Sequence, residues 1–424
     1  MTQAPILISG AGLSSLLLGR SLFNSKIPFR IYERDESLSF RGQGYRLRLS
    51  NEGLDSIESV IGKEEFERFY NEFCGKTGGG GIIEYDALTG EIQTSIEEQL
   101  HIKQKQKEQR EKDEADEHKD DDDKGKKDLS VLASRNNLII GISRGDLRNL
   151  LYEPIKEYVE FSKGVIGYEL EEEEEGGIKV IFQDGSKSIK GSMLIGGDGI
   201  KSKISKQLSN NKLKTYDTKS IGIHGQAPTK AFKQLGEGVF KIVENQSHEN
   251  QDAKFKGTSI ITNVRSKDMD NPNINFGWTM VTSPDDVAII GKEASRIAKQ
   301  LTSKWNSKFK PLFDEMIVDD AAFWKITCST PSGIPEWLNQ PRITLIGDSV
   351  HSMTPAGGLG ANTALRDSAL LGKLLEESNG YRNGLTKEYE EKMKVYANEA
   401  VNQSYSTAVK QFGIHIDEEN SPVV

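Results

Sequence analysis

Arg342-Ile343-Thr344-Leu345-Ile346-Gly347-Asp348-Ser349-Val350-His351-Ser352-Met353-Thr354-Pro355-Ala356-Gly357-Gly358-Leu359-Gly360-Ala361-Asn362 is the stretch whose reading decides the fold of this chain. Ile343 to Ile346 is a short apolar run rich in β-branched residues, which suits a strand buried on both faces. Gly347 and Asp348 end that strand and leave one carboxylate at its C-terminal edge, where open α/β sheets bind their ligands. Gly357, Gly358 and Gly360 then form a glycine-rich turn into a helix expected to begin near Ala361. Glycines there let backbone N–H groups approach a ligand, and the helix start adds partial positive charge. A strand end, a lone carboxylate and a positive helix end make a cradle for a polyol with an electron-rich head. That describes a flavin better than a nicotinamide. A plain surface turn before a C-terminal helix is the alternative, and glycine density alone does not separate the two.

The N-terminus repeats the pattern. Pro5 to Ile8 reads as a strand, Ser9-Gly10-Ala11-Gly12-Leu13-Ser14-Ser15 as a glycine turn opening a helix, and Phe29 to Tyr32 as a second strand ending at Glu33. This is the dinucleotide fingerprint in its full context of strand, glycine turn, helix, strand and acid. Gly10 permits the tight turn, Gly12 lets a pyrophosphate approach, and Glu33, roughly 20 residues on, can accept from ribose hydroxyls. Ser15 stands where a third glycine is usual, at the position that governs helix–strand packing.

Met193-Leu194-Ile195-Gly196-Gly197-Asp198-Gly199 is a third strand end with glycines and an acid. Three such ends, carrying Glu33, Asp198 and Asp348, imply one extended ligand touched at several points. Arg144 follows the strand Leu138 to Ile142, on the ligand side of a parallel sheet. In the loop Ser37 to Arg46, Arg41 reads equally well as a pyrophosphate donor or as part of a solvated loop.

The remainder bounds the answer. A net charge of −9 argues against a nucleic-acid surface as the main business. No apolar run reaches the roughly 20 residues that span a bilayer, and no signal peptide is recognisable. Cys74 and Cys328 give neither a disulfide framework nor metal spacing. A protein of the reducing cytosol, with no metal site, is expected. Residues 97–131 are so charged and so poor in apolar side chains that a disordered insertion is expected. Ser220 to Pro228 and Ile274 to Thr282 read as strands of a second, mostly antiparallel sheet. By the two-residue period Phe276, Trp278 and Met280 share one face, and His224 and Gln226 lie opposite Ile221 and Ile223. The aromatic face suits a pocket wall or a sheet core equally.

With these motifs in hand, the chain resembles the single-component FAD-dependent aromatic monooxygenases, the para-hydroxybenzoate hydroxylase-like flavoproteins. Gly10 to Ser15 with Glu33 is similar to that family's adenosine fingerprint, Met193 to Ile204 to its Asp-Gly motif, and Gly347-Asp348 with Pro355 to Asn362 to its Gly-Asp motif. The resemblance implies an α/β fold: a Rossmann-like FAD-binding domain with an interleaved, mostly antiparallel β-sheet substrate domain and C-terminal helices. The expected boundaries are 1–76, 132–212 and 338–400 for the FAD domain and 77–96 and 213–337 for the substrate domain, with a C-terminal helix and tail at 401–424. It further implies FAD contacts from Arg34, Arg46, Arg144, Gly358 and Gly360, Asp348 on the ribityl chain, and Ala361 and Asn362 beside the pyrimidine edge. Pro355 and Gly357 would flank the reacting face, and His224 and Trp278 would orient substrate. NADPH or NADH would reduce the flavin, and O2, through a flavin hydroperoxide, would oxygenate an electron-rich aromatic or polycyclic small molecule. One departure is plain: the family carries arginine after the position of Ile204, and here Ser205 and Lys206 follow. Epoxidation, Baeyer–Villiger insertion and a non-oxygenating FAD-binding scaffold stay open. A flavin halogenase would need a Gly-Trp-x-Trp-x-Ile-Pro signature, which the chain lacks.

Overall fold

The structure is a computed structural model that describes residues 3–38, 46–78, 82–94, 133–171, 176–244, 258–282 and 293–424. The charged insertion at 97–131 and Arg41 lie outside these residues. The chain forms two compact units: residues 1–74, 141–220 and 325–424, and residues 75–140 and 221–324.

The first unit is built on a five-stranded sheet in which every pairing is parallel, in the order Ile343–Leu345, Met193–Gly196, Ile6–Ser9, Phe29–Tyr32, Val159–Glu160. The three inner apolar runs have almost no exposed side chain, as expected for strands covered on both faces. Tyr32, Ser9, Gly196 and Leu345 are level with one another across the sheet. The strand ends therefore terminate in one row. The helix Leu13–Asn24 is buried from Leu13 to Leu22. Two glycines let it pack so closely: a Cβ on Gly19 would lie 2.9 Å from the Ile31 side chain, and one on Gly372 would lie 2.3 Å from Ser21 Oγ. Gly372 belongs to the helix Gly360–Glu377, so the two glycine-initiated helices lie side by side. The helix Leu385–Phe412 is anchored by Tyr389, whose hydroxyl donates to the Leu345 carbonyl at 3.2 Å. That helix is continuous to Phe412, with Val401, Ser404 and Ala408 buried and Ser404 bonded to Thr354 at 2.7 Å.

In the second unit the strands Asn275–Thr282, Ser259–Val264 and Gly238–Val243 pair antiparallel in that order, and Gly238–Val243 pairs parallel with Ile82–Asp86. Ile82–Asp86 and Ile92–Thr94 make a hairpin, with Asp86 Oδ1 accepting from the Leu88 and Thr89 amides at 2.9 and 2.8 Å. One core joins Phe232, Phe240, Phe276, Trp278, Trp305, Phe309 and Phe313.

The expectation that Trp278 orients substrate is overturned. It is 1% exposed, its indole N–H donates to the Leu312 carbonyl at 3.0 Å, and its ring packs on Phe313 with centroids 5.0 Å apart. Gly225, its register partner, leaves the room: a Cβ there would lie 2.3 Å from the indole. Trp278 is core. His224 lies on the opposite face, over Gly277, where a Cβ would come within 2.6 Å of its ring.

Candidate functional site

The level row of strand ends brings Glu33, Gly10, Gly197 and Gly347-Asp348 to one edge of the sheet, as parallel pairing requires once each strand stops in step. The hydrogen bonds Gly10 N–H to Tyr32, Gly197 N–H to Ser9 and Ile346 N–H to Gly196 carry the ladder to its last residue. Gly10 has φ +88°, and a Cβ there would lie 2.6 Å from the Gly197 carbonyl oxygen. Glycine at 10 is a demand of the fold.

Gly12 is different. Its φ is −73°, and the nearest atom to an added Cβ is 3.8 Å away. Nothing in the protein itself needs glycine there. The space beside it is what a ligand approaching the helix start would use. The helix Leu13–Asn24 begins with no capping side chain and no acid in its first turn, and the same holds for the helix Gly360–Glu377. Two helices thus present unsatisfied amides and the positive ends of their dipoles. Such ends suit a pyrophosphate and an electron-rich ring.

Glu33 is 8% exposed; its Oε2 accepts from the Ala11 amide at 2.6 Å and its Oε1 from the Asp35 amide at 2.9 Å. Each oxygen keeps a further lone pair for a ribose hydroxyl. Arg34 is exposed beside it. Asp198 accepts from the hydroxyl of Ser202, the N-cap of the helix Lys203–Leu208, at 2.6 Å, and burial raises its carboxyl above the usual range.

Asp348 is open to solvent, yet the protein gathered around it pushes its carboxyl above the usual range, against the pull of His351 and Arg144. Gly357 and Gly358 have φ +74° and +63°, a backbone that only glycine adopts without strain. The side chain of Asn362, a residue expected beside the pyrimidine edge, is engaged within the protein. Its Nδ2 donates to the Arg48 and Gly358 carbonyls at 2.9 and 2.8 Å, and its Oδ1 accepts from the Ser50 amide at 2.9 Å. With both amide hydrogens and its oxygen engaged, only the backbone N–H of Asn362 is left to face a ligand.

Arg46 donates to the Gly141 carbonyl at 2.9 Å. Three arginine and acid positions that the sequence reading missed bond to the backbone of these turns. Arg48 donates to the Gly357 carbonyl at 2.8 Å, and Arg148, 5% exposed, donates to Ala11 and Leu38 carbonyls, each at 2.9 Å. Arg148 follows Arg144 by four residues on one helix, and Arg48 follows Arg46 by two on one strand, so the spacing placed each on its partner's face. Asp367 is the third, and no local pattern marks it. Among the described residues no cluster of His, Cys, Asp and Glu could hold a metal ion, and no helix is long and apolar enough to cross a membrane.

The family described as FAD binding domain matches residues 95–404. A dual O-methyltransferase/FAD-dependent monooxygenase of Cercospora beticola is 24% identical over 401 residues, which cover 88% of this chain and 42% of that protein. The chain therefore spans about two fifths of the length of that relative. An FAD-dependent monooxygenase of Trichoderma harzianum is 23% identical over 393 residues, covering 88% of this chain and 82% of that one. Among solved structures, Klebsiella pneumoniae HpxO complexed with FAD and uric acid superposes with a TM-score of 0.69 at 17% identity, over 97% of this chain and 90% of that one. The 2,6-dihydroxypyridine-3-hydroxylase of Arthrobacter nicotinovorans gives 0.67 at 14% identity, over 100% and 98%. These likenesses establish a shared fold.

Proposed function

This chain belongs to the FAD-binding domain family, and from that premise we propose that it is a monooxygenase that uses NAD(P)H and O2 to hydroxylate an electron-rich aromatic or polycyclic small molecule. The observation that supports the FAD assignment is the single row of strand ends, which brings the acid Glu33, the uncapped start of the helix Leu13–Asn24 and the exposed Asp348 carboxylate to one edge. The likeness to FAD-dependent monooxygenases supports the reaction type.

Bound FAD supplies the redox chemistry, coupling two-electron oxidation of NAD(P)H to insertion of one atom of O2 into the substrate, the other leaving as water. The chain's own residues bind and orient. Glu33 would accept from the ribose hydroxyls, and the amides after Gly12 would face the pyrophosphate. Arg46 and Arg144 would add positive charge, and Arg148 holds the Ala11 carbonyl so that the turn keeps its shape. Asp348 would accept from the ribityl hydroxyls. The start of the helix Gly360–Glu377 would stabilise negative charge on the ring, by up to about 2 kcal/mol for a partly buried helix end. Pro355 and Gly357 would border the reacting face.

The test begins with colour. The purified chain should bind FAD with a flavin absorption spectrum, and Asp348→Ala should weaken that binding by roughly 1.5–3 kcal/mol, the worth of hydrogen bonds to a charged group. NAD(P)H oxidation should then rise on adding substrates from a panel of phenols, indoles and polyketides. Product mass separates hydroxylation from Baeyer–Villiger insertion by the position of the new oxygen. FAD binding with no stimulation by any aromatic would leave the scaffold reading in place of the enzyme.

A further inference from the structure

Beneath the turn that carries Asp348 lies a polar cluster that makes no use of solvent. Asp367, on the helix Gly360–Glu377, is 0% exposed, as is His351. Asp367 Oδ2 accepts from the Gly347 amide at 2.7 Å and lies 2.6 Å from His351 Nε2. Its Oδ1 accepts from the Tyr396 hydroxyl at 2.8 Å, and the Arg366 guanidinium covers the Tyr396 ring at 4.0 Å. Gly347 has φ +62°, and the next residue is Asp348. A hidden carboxylate is thus tied to the backbone from which an accessible carboxylate projects.

The chemistry of the three donors is specific. An N–H, an O–H and an imidazole N–H all point at Asp367, so only a group with acceptors and no hydrogens satisfies them together. An amide in its place would set its NH2 against one of these donors and displace either the turn or the ring. A buried carboxylate also needs a partner to offset desolvation, and the nearby imidazole supplies one.

We propose that Asp367 is a positioning residue for the cofactor: through the Gly347 amide and His351 it sets the direction in which Asp348 meets the ribityl hydroxyls of FAD. The proposal rests on the FAD reading above. It states that Asp367 acts through Asp348, which a role confined to stabilising the fold does not require.

FAD dissociation constants are measured by flavin fluorescence on protein stripped of cofactor, alongside thermal unfolding of the same stripped samples. Asp367→Asn should weaken FAD binding about tenfold. Thr344→Val removes a comparably buried bond in the same core, from Thr344 to Glu390 at 2.9 Å. It should lower unfolding temperature and leave FAD affinity within about twofold. In an Asp348→Asn background, Asp367→Asn should cost little more, because the residue it aims is already disabled. Should Asp367→Asn fail to fold, Tyr396→Phe removes one donor and should weaken FAD about threefold, again with the loss vanishing beside Asp348→Asn. Wild-type affinity in Asp367→Asn, or a loss undiminished in the Asp348→Asn background, overturns the proposal while the FAD reading stands. A wild-type chain that takes up no FAD overturns both.

Discussion

The Asn362 side chain occupies the space that a β-carbon on Gly53 would need: such a carbon would lie 2.0 Å from Asn362 Oδ1. The start of the helix Asn51–Ile61 and the start of the helix Gly360–Glu377 are pinned together there, through the bond from the Ser50 amide to the same oxygen. Gly53→Ala should therefore displace Asn362, lowering stability by about 1–3 kcal/mol and weakening FAD uptake. Urea unfolding of the stripped protein and a flavin titration measure the two effects. Unchanged stability would mean the helices part more easily than their packing implies.

Gly10 and Gly12 should separate in their responses. Gly10→Ala forces a side chain into a left-handed backbone and against the Gly197 carbonyl, so it should destabilise the fold by more than about 1 kcal/mol. Gly12→Ala meets nothing within 3.8 Å and should leave thermal unfolding of stripped protein unchanged while weakening FAD. Equal loss of stability in both variants would contradict the assignment of Gly12 to a ligand.

Ser15 carries a 0% exposed hydroxyl with no hydrogen-bond partner among the described residues, and a Cβ on Gly197 would lie 2.3 Å from it. Ser15→Ala should be neutral or stabilising, because it removes a buried unpaired hydroxyl. Gly197→Ala should cost more in the wild type than beside Ser15→Ala, a coupling read by a double-mutant cycle.

Trp278→Phe should lower stability by about 1–3 kcal/mol through the lost bond to Leu312 and the lost volume, with FAD affinity unchanged. Denaturant unfolding gives the first and flavin fluorescence the second. A change in substrate preference at wild-type stability would restore Trp278 to the site.

The His351 imidazole gives stability a pH dependence. Burial opposes its charged form, but Asp367 and then Asp348 outweigh that and hold its pKa above the ordinary value near 6.5. Tyr389 and Tyr396, from the helix Leu385–Phe412, face the same carboxylate, and Arg144 acts on Asp348. A base whose folded pKa is raised contributes fully below the unfolded value, and that contribution is lost as pH rises through the folded one. Wild-type stability should therefore fall with pH above about 6.5, and His351→Gln should remove this part of the slope. Unfolding free energies across that range, measured on both proteins, check it.

Much of the cofactor edge was legible because its signals are local. A strand, a glycine turn and an acid occupy a dozen or so neighbouring residues, and the backbone rules that read them act at short range. The shared face of Phe276, Trp278 and Met280 was legible for the same reason. What that face packs against was not, because two-residue periodicity says which side chains point together and not what covers them.

The sequence by itself determined that glycine turns and carboxylates sit at the ends of buried strands, since chain stiffness and hydrophobic period act between near neighbours. Only the tertiary structure decided that these ends align in one row, that Asn362 staples two helices, and that Asp367 meets Gly347, His351 and Tyr396. Those partners are 16 to 29 positions away in the chain. A buried hydrogen bond forms wherever packing brings donor and acceptor together, and no short-range rule of the backbone records that meeting.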